Sequence, residues 1–172
     1  MAETARQREI LDAARALLAA EGEDALTVAR IAQALSIKAP SLYKHFAGKR
    51  QIEVGLMAQG FAEQAEALEA AGADLVEFGR LYRAFALREP ALYRLMTERP
   101  LPRDELPEGV EARAADRGDQ RGGDQDRARA AWAFAHGMVV LELAGRFPPD
   151  ADLDAAWRVG LAAFETSGGL TL

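Results

Sequence analysis

Apolar residues recur every three or four positions through most of the chain, and no window shows the sustained polar–apolar alternation with β-branched residues that marks a strand. The first helical stretch runs from about Thr4 to Glu21, with Ile10, Ala13, Ala14, Leu17 and Leu18 on one face and Gly22 suited to the C-terminal cap. Thr27 is placed to N-cap a second, short helix that buries Val28, Ile31, Ala32 and Leu35. After a turn at Ser36-Ile37, Pro40 fits the first position of a third helix, because its missing N–H would have no partner there anyway. Leu42 and Phe46, four apart, face its neighbours. Gly48 interrupts the pattern, and a long helix follows from about Lys49 to Ala70, with Ile52, Leu56, Phe61, Ala65 and Leu68 among its apolar positions. Beyond Gly72, Asp74 to Arg88 carries the stripe Leu75, Phe78, Leu81, Tyr82 and Phe85 until Glu89-Pro90 ends it. A short helix from Ala91 to Thr97 then presents Leu92, Tyr93, Leu95 and Met96.

The periodicity fails over residues 99–127. Three prolines (Pro100, Pro102, Pro107) are followed by DRGDQRGGDQDR, which holds no apolar residue and reads as an exposed or disordered loop. Helix resumes from about Asp126 to Arg146, where Trp132, Phe134, Ala135, Met138, Val139, Leu141 and Leu143 leave most of the circumference apolar. Such a helix needs partners on more than one side. Phe147-Pro148-Pro149 ends it, Asp152 caps a last helix to about Thr166, and the SGGLTL tail is expected to fray. The fold class expected is all-α.

Composition adds limits. A chain of 172 residues, 49% hydrophobic and 28% charged, is that of a soluble globular protein with one domain or two small ones. No apolar run reaches the roughly 18 residues of a membrane-spanning helix. The polar start MAETARQRE lacks the apolar stretch of a signal peptide, and the absence of cysteine excludes disulfides and thiolate metal sites. A cytoplasmic protein is the simplest expectation. Charge is unevenly spread: residues 1–50 carry eight Lys/Arg against six Asp/Glu, and the remainder thirteen against twenty-one. Within 27–50, Arg30, Lys38, Lys44, Lys49 and Arg50 stand without any acid among them.

Two short helices joined by a tight turn, with a basic face, are how a small domain places a helix in the major groove of DNA. The first helix needs small and branched residues (Val28, Ile31, Ala32) so that the second can cross it closely. The second needs short side chains where it meets base edges and longer polar ones where it leaves the groove. Ala39, Pro40 and Ser41, followed by Tyr43, Lys44 and His45, meet that description. Lys38, Lys44 and Lys49 are placed to neutralise phosphates, and Ser41 and Tyr43 to donate hydrogen bonds to phosphate or bases. Thr27 and Lys49 also sit at helix N-termini, where backbone N–H groups favour a phosphate. Phe46 reads as core and Tyr43 as a DNA contact; His45 suits phosphate contact or helix packing, and Arg30 a contact or a solvated face.

At these residues the chain resembles the tetracycline-repressor (TetR) family of bacterial transcriptional regulators. The resemblance covers about residues 6–53 and rests on Thr27, Ile31-Ala32, Leu42-Tyr43-Lys44-His45-Phe46 and Lys49. It departs at Ser36, a turn position where the family usually has Gly; a positive φ there would cost Ser on the order of 1 kcal/mol relative to Gly. The resemblance implies an N-terminal three-helix helix-turn-helix DNA-binding domain (1–50) and a C-terminal helical ligand-binding and dimerisation domain (51–172) entered through a long fourth helix. It also implies a homodimer on a palindromic double-stranded DNA operator. Residues 132–147 and 89–96 resemble the Trp-x-x-x-His-Gly block and the earlier signature of one branch of that family. The family's last two helices form a four-helix bundle with their copies in the partner, which would use the wide apolar surface of 128–146 and the stripe Leu153, Trp157, Leu161 and Phe164.

A small-molecule effector of unknown identity would then be lined by Phe61, Phe78, Tyr82, Phe85, Tyr93, Met96, Trp132 and His136, although an aromatic stripe at helical spacing also suits plain core. His136-Gly137 suits a structural hydrogen bond beside a close helix crossing. The polar run within 111–127 departs from the family, which normally adds an amphipathic helix there; weak order near 112–126 is expected. No His, Cys or Ser stands at a spacing that suggests a catalytic site or metal centre, and no cofactor is implied. The reading is a regulator, a repressor released from its operator by the effector, and not an enzyme. The alternative is a dimeric helical protein whose C-terminal half carries enzyme activity or binds a protein partner.

Overall fold

The computed structural model describes residues 4–72, 74–110 and 125–165, apart from the side chains of 67, 68, 125 and 165. Among them are eight α-helices and no strand: α1 (Ala5–Glu21), α2 (Val28–Ala34), α3 (Ala39–Leu42), α4 (Lys49–Ala70), α5 (Leu75–Arg88), α6 (Pro90–Thr97), α7 (Gln125–Leu143) and α8 (Leu153–Glu165). The all-α expectation holds. Of the weak order expected near 112–126, residues 112–124 lie outside the described residues while 125 and 126 belong to α7, and the fraying expected at 167–172 lies outside them too. No described helix is long and apolar enough to cross a membrane. The chain divides into two compact units, Met1–Ala62 with Glu89–Glu111, and Glu63–Arg88 with Ala112–Leu172.

In the first unit, Thr4 and Gln7 form a reciprocal capping box at the start of α1: the Thr4 hydroxyl accepts from the Gln7 amide, and the Gln7 side chain accepts from the Thr4 amide. The buried stripe is Ile10, Leu11, Ala14 and Leu18; Ala13 and Leu17, expected inside, are half-buried because the face centres one position away. These residues join Leu26, Ile31, Leu42, Phe46, Ile52 and Leu56 in one core. Gly55 lets α4 approach α1, since a Cβ there would lie 2.9 Å from a Leu11 methyl. Gly60 likewise admits α6, whose Met96 sulfur would meet a Cβ at 2.5 Å. Buried Leu92, Tyr93, Leu95 and Met96 face inward from α6, and an Arg15–Glu89 pair at 3.2 Å ties its start to α1.

In the second unit, Asp74 caps α5 by accepting from the amides of Val76 and Glu77. Gly79 of α5 sits against Trp157 and Leu161 of α8, and Gly160 of α8 sits against the Phe134 ring of α7; a side chain at either glycine would clash. Arg83 joins three helices, donating to Glu142 of α7 through Nε (2.8 Å) and Nη2 (2.7 Å) and to Asp154 of α8 through Nη1 (2.6 Å). The Glu142 hydrogen bond holds the guanidinium above its ordinary pKa. Helix α7 stops at Leu143, three residues earlier than expected. Gly145 at φ 62° closes it in a Schellman cap, its amide donating to Glu142 and that of Arg146 to Leu141.

The structure departs from the pattern at two places in this half. Trp157 and Leu161, offered as part of a dimer stripe, are buried inside the chain against α5. Gly137, expected at a close helix crossing, makes none within the chain's described residues, with nothing within 4 Å of where its Cβ would lie. The large apolar side chains of α7 and α8 left exposed among the described residues are Trp132, Val140, Leu141 and Val159.

Candidate nucleic-acid interface

The head is built by caps and two anchors. The Thr27 hydroxyl accepts from the Arg30 amide and starts α2; its own O–H remains a donor. Helix α2 closes on Ser36, the one described non-glycine residue at positive φ (53°). The Ser36 amide donates to Gln33 (3.0 Å) and that of Ile37 to Ala32 (2.9 Å), so the turn is a Schellman cap with serine where glycine is usual. Ala39, not Pro40, is the first residue of α3, with Pro40 second. Regular helix ends at Leu42, but its carbonyl accepts from both His45 (2.9 Å) and Phe46 (3.1 Å), so the helical course continues one more turn.

That turn sets the exposure of each side chain. Leu42 and Phe46 are buried, while between them Tyr43 is 55% exposed and Lys44 is exposed. Lys38 and Pro40 are also exposed; Ala39, Ser41 and His45 are half-buried. The Gln7 side chain donates to the His45 carbonyl (3.4 Å), pinning the far end of the element to α1. The Ala47 amide donates to the Gln51 side chain (2.7 Å) and sets the start of α4.

The five cations of the acid-free run do not stand alike. Lys38 and Lys44 have no acidic partner among the described residues. Arg30 makes a two-point pair with Glu21 at 2.7 and 2.6 Å. Lys49 donates to the Glu23 carbonyl (3.4 Å) and lies 3.5 Å from Glu53, a buried carboxylate on its own helix. Arg50 is held by Glu105, and that hydrogen bond keeps the Glu105 carboxyl below its ordinary pKa. The sequence has no signal for the last pairing, because its partners lie 55 residues apart.

A chain with a pinned two-helix motif, an outward Tyr-Lys pair and two unneutralised lysines matches known proteins on both halves. The family "Bacterial regulatory proteins, tetR family" matches residues 10–52, and "Tetracyclin repressor-like, C-terminal domain" matches residues 75–164. The chain belongs to the TetR family. It is a DNA-binding transcriptional regulator of that family. The uncharacterized HTH-type transcriptional regulator Rv0681 of Mycobacterium tuberculosis is 28% identical over 170 residues, covering 88% of this chain and 76% of that protein. The crystal structure of regulatory protein SCO4313 matches with a TM-score of 0.75 at 28% identity, over 91% of this chain and 93% of that one. A substituted TetR from Acinetobacter baumannii AYE in complex with minocycline matches with a TM-score of 0.66 at 28% identity, over 92% and 93%. TetR-family regulators bind DNA operators, dimerise and bind ligands in the C-terminal domain.

Of the expected effector residues in this TetR-family chain, Phe61 (half-buried), Tyr93 and Met96 (buried) belong to the first unit. In the second, Tyr82 and Phe85 are buried and Phe78 stacks on Tyr82 at 5.8 Å between ring centres. Trp132 is 51% exposed and stacks on His136 at 5.6 Å, and His136 is half-buried. Sequence reasoning missed Trp157 as a polar group: its indole Nε1 is buried without a hydrogen-bond partner.

Proposed function

We propose that the chain is a repressor that acts in the cytoplasm as a homodimer on a palindromic operator and is released by a small-molecule effector. Residues 1–50 read the operator, and residues 51–172 bind effector and dimerise. The observation that carries the DNA reading is the split between buried Leu42 and Phe46 and exposed Tyr43 and Lys44 on one helical turn. Anchors four apart fix the rotation of the element, so Tyr43 and Lys44 between them point away from the core. Ala39, Pro40 and Ser41 meet base edges there. Thr27, Lys38, Lys44, His45 and Lys49 take backbone phosphates, and Tyr43 takes phosphate or base.

The candidates to contact the effector are apolar and aromatic side chains in each unit, Phe61, Tyr93 and Met96 in the first and Phe78, Tyr82, Phe85, Trp132 and His136 in the second. An apolar or aromatic ligand suits that composition, and the minocycline complex of a family member supports a drug-sized one. Binding would favour the conformation in which the two heads no longer fit successive major grooves. The spacing of Trp132, His136 and Gly137, with residues 89–96, supports a place in the Trp-x-x-x-His-Gly branch. Dimerisation is assigned to α7 and α8, whose exposed Val140, Leu141 and Val159 need cover.

Selection of duplexes from a random pool with the full chain tests the proposal. The recovered sequence should be an inverted repeat, bound with a steep inverse salt dependence and well above random duplex. Recovery of no preferred duplex would sink it.

A further inference from the structure

The segment after α6 carries two acid–base clasps onto the head. Arg99 pairs with Glu23 and, at 3.4 Å, with the buried carboxylate of Glu53. Six residues on, Glu105 takes the Arg50 guanidinium through Nε at 3.1 and 3.3 Å and through Nη2 at 2.8 Å. Glu105 is presented on an ordered turn: Pro102 is buried, and its carbonyl accepts from the amides of both Glu105 (2.9 Å) and Leu106 (3.1 Å).

The two clasps differ in what they can be for. The Arg99 clasp satisfies a buried carboxylate and so belongs to the fold. The Arg50–Glu105 pair is exposed on both sides, where water and salt screen an ion pair and its contribution to stability is small. Arg50 stands in the first turn of α4, just after the reading element and next to Lys49, at the end of the acid-free run. A guanidinium fork binds two oxygens of a carboxylate or of a phosphate in the same geometry, so one can replace the other without moving the arginine. Resting on the DNA reading given above, we propose that Glu105 is a built-in competitor for Arg50, holding the site that a DNA backbone phosphate takes when the operator binds. The turn after α6 thereby sets the affinity of the head for DNA.

The test uses the full chain and the duplex selected with the wild type, with affinity measured across a salt series for wild type, Glu105→Gln, Arg50→Gln and the double variant. Glu105→Gln should bind about threefold tighter or more near 0.15 M salt, with a log–log salt slope little changed, because Arg50 meets the same phosphate in both proteins and only the competing carboxylate is lost. In the Arg50→Gln background the same change should do nothing. Glu108→Gln, a nearby exposed acid, controls for net charge, and melting curves check that each variant is folded. Unchanged or weaker binding by Glu105→Gln, or an equal gain with Arg50 already replaced, would overturn the inference while leaving the DNA interface standing. A wild type that selects no duplex would remove that interface, and the inference with it.

Discussion

Ser36 holds φ 53° at the end of α2 because the chain must reverse there and the amides of 36 and 37 must reach back to Gln33 and Ala32. Its Cβ makes that conformation costly, and nothing in the reading surface needs the hydroxyl at that position. Ser36→Gly should therefore stabilise the protein by roughly 0.5–1 kcal/mol, the relief of strain being partly offset by the greater freedom glycine gains in the unfolded chain. Urea unfolding at one protein concentration measures it, and a loss of stability would show that the serine side chain contributes to the turn. The strained position was legible in the sequence as a non-glycine residue at a helix stop. Arg83 and Arg50 were not: their acidic partners lie 55 to 71 residues away, and a hydropathy pattern assigns a side chain to a face without saying what meets it.

Helices α7 and α8 show the same limit at the next scale. Periodicity identified the apolar stripe of α8, but Gly79 decides that Trp157 and Leu161 of that stripe serve α5. Likewise the wide apolar surface of α7 splits into an inner face of Ala131, Ala135, Met138 and Val139 and an outer one of Trp132, Val140 and Leu141. On the outer face, Ala133 and Gly137 lie four apart beside Leu141, small enough for another helix to pack closely. Val159, 74% exposed, is the large uncovered apolar side chain of α8 among the described residues. If these faces meet their copies, Leu141→Glu should move the dimer toward monomer at micromolar concentration while α-helical content is retained. Sedimentation equilibrium reads this directly, and an unchanged dimer would place the interface elsewhere. Element starts were the most legible feature, because Thr4, Thr27, Asp74 and Asp152 each cap the helix that follows with a side-chain oxygen. The end of α7 was misplaced because Gly145 stops the helix before the prolines can.

At the scale of the whole chain, the acidic composition hides a head whose charge is mostly spoken for. Arg30, Lys49 and Arg50 are each engaged by an acid or a carbonyl from outside the 27–50 run, which leaves Lys38 and Lys44 as its openly available cations. The motif and its anchors were legible because local spacing produces them; this neutralisation was not, since it comes from residues brought in by the tertiary fold. The DNA-reading surface proposed is therefore small, Ala39 to Lys44, flanked by Lys38. Its most direct test is the affinity of a Tyr43→Ala/Lys44→Gln variant for the selected duplex at fixed salt, beside its dimer mass. Binding should fall by about tenfold or more with the dimer intact, since one phosphate contact and one hydrogen-bonding aromatic are removed together. Wild-type affinity in that variant would contradict the assignment of this turn as the part of the protein that reads DNA.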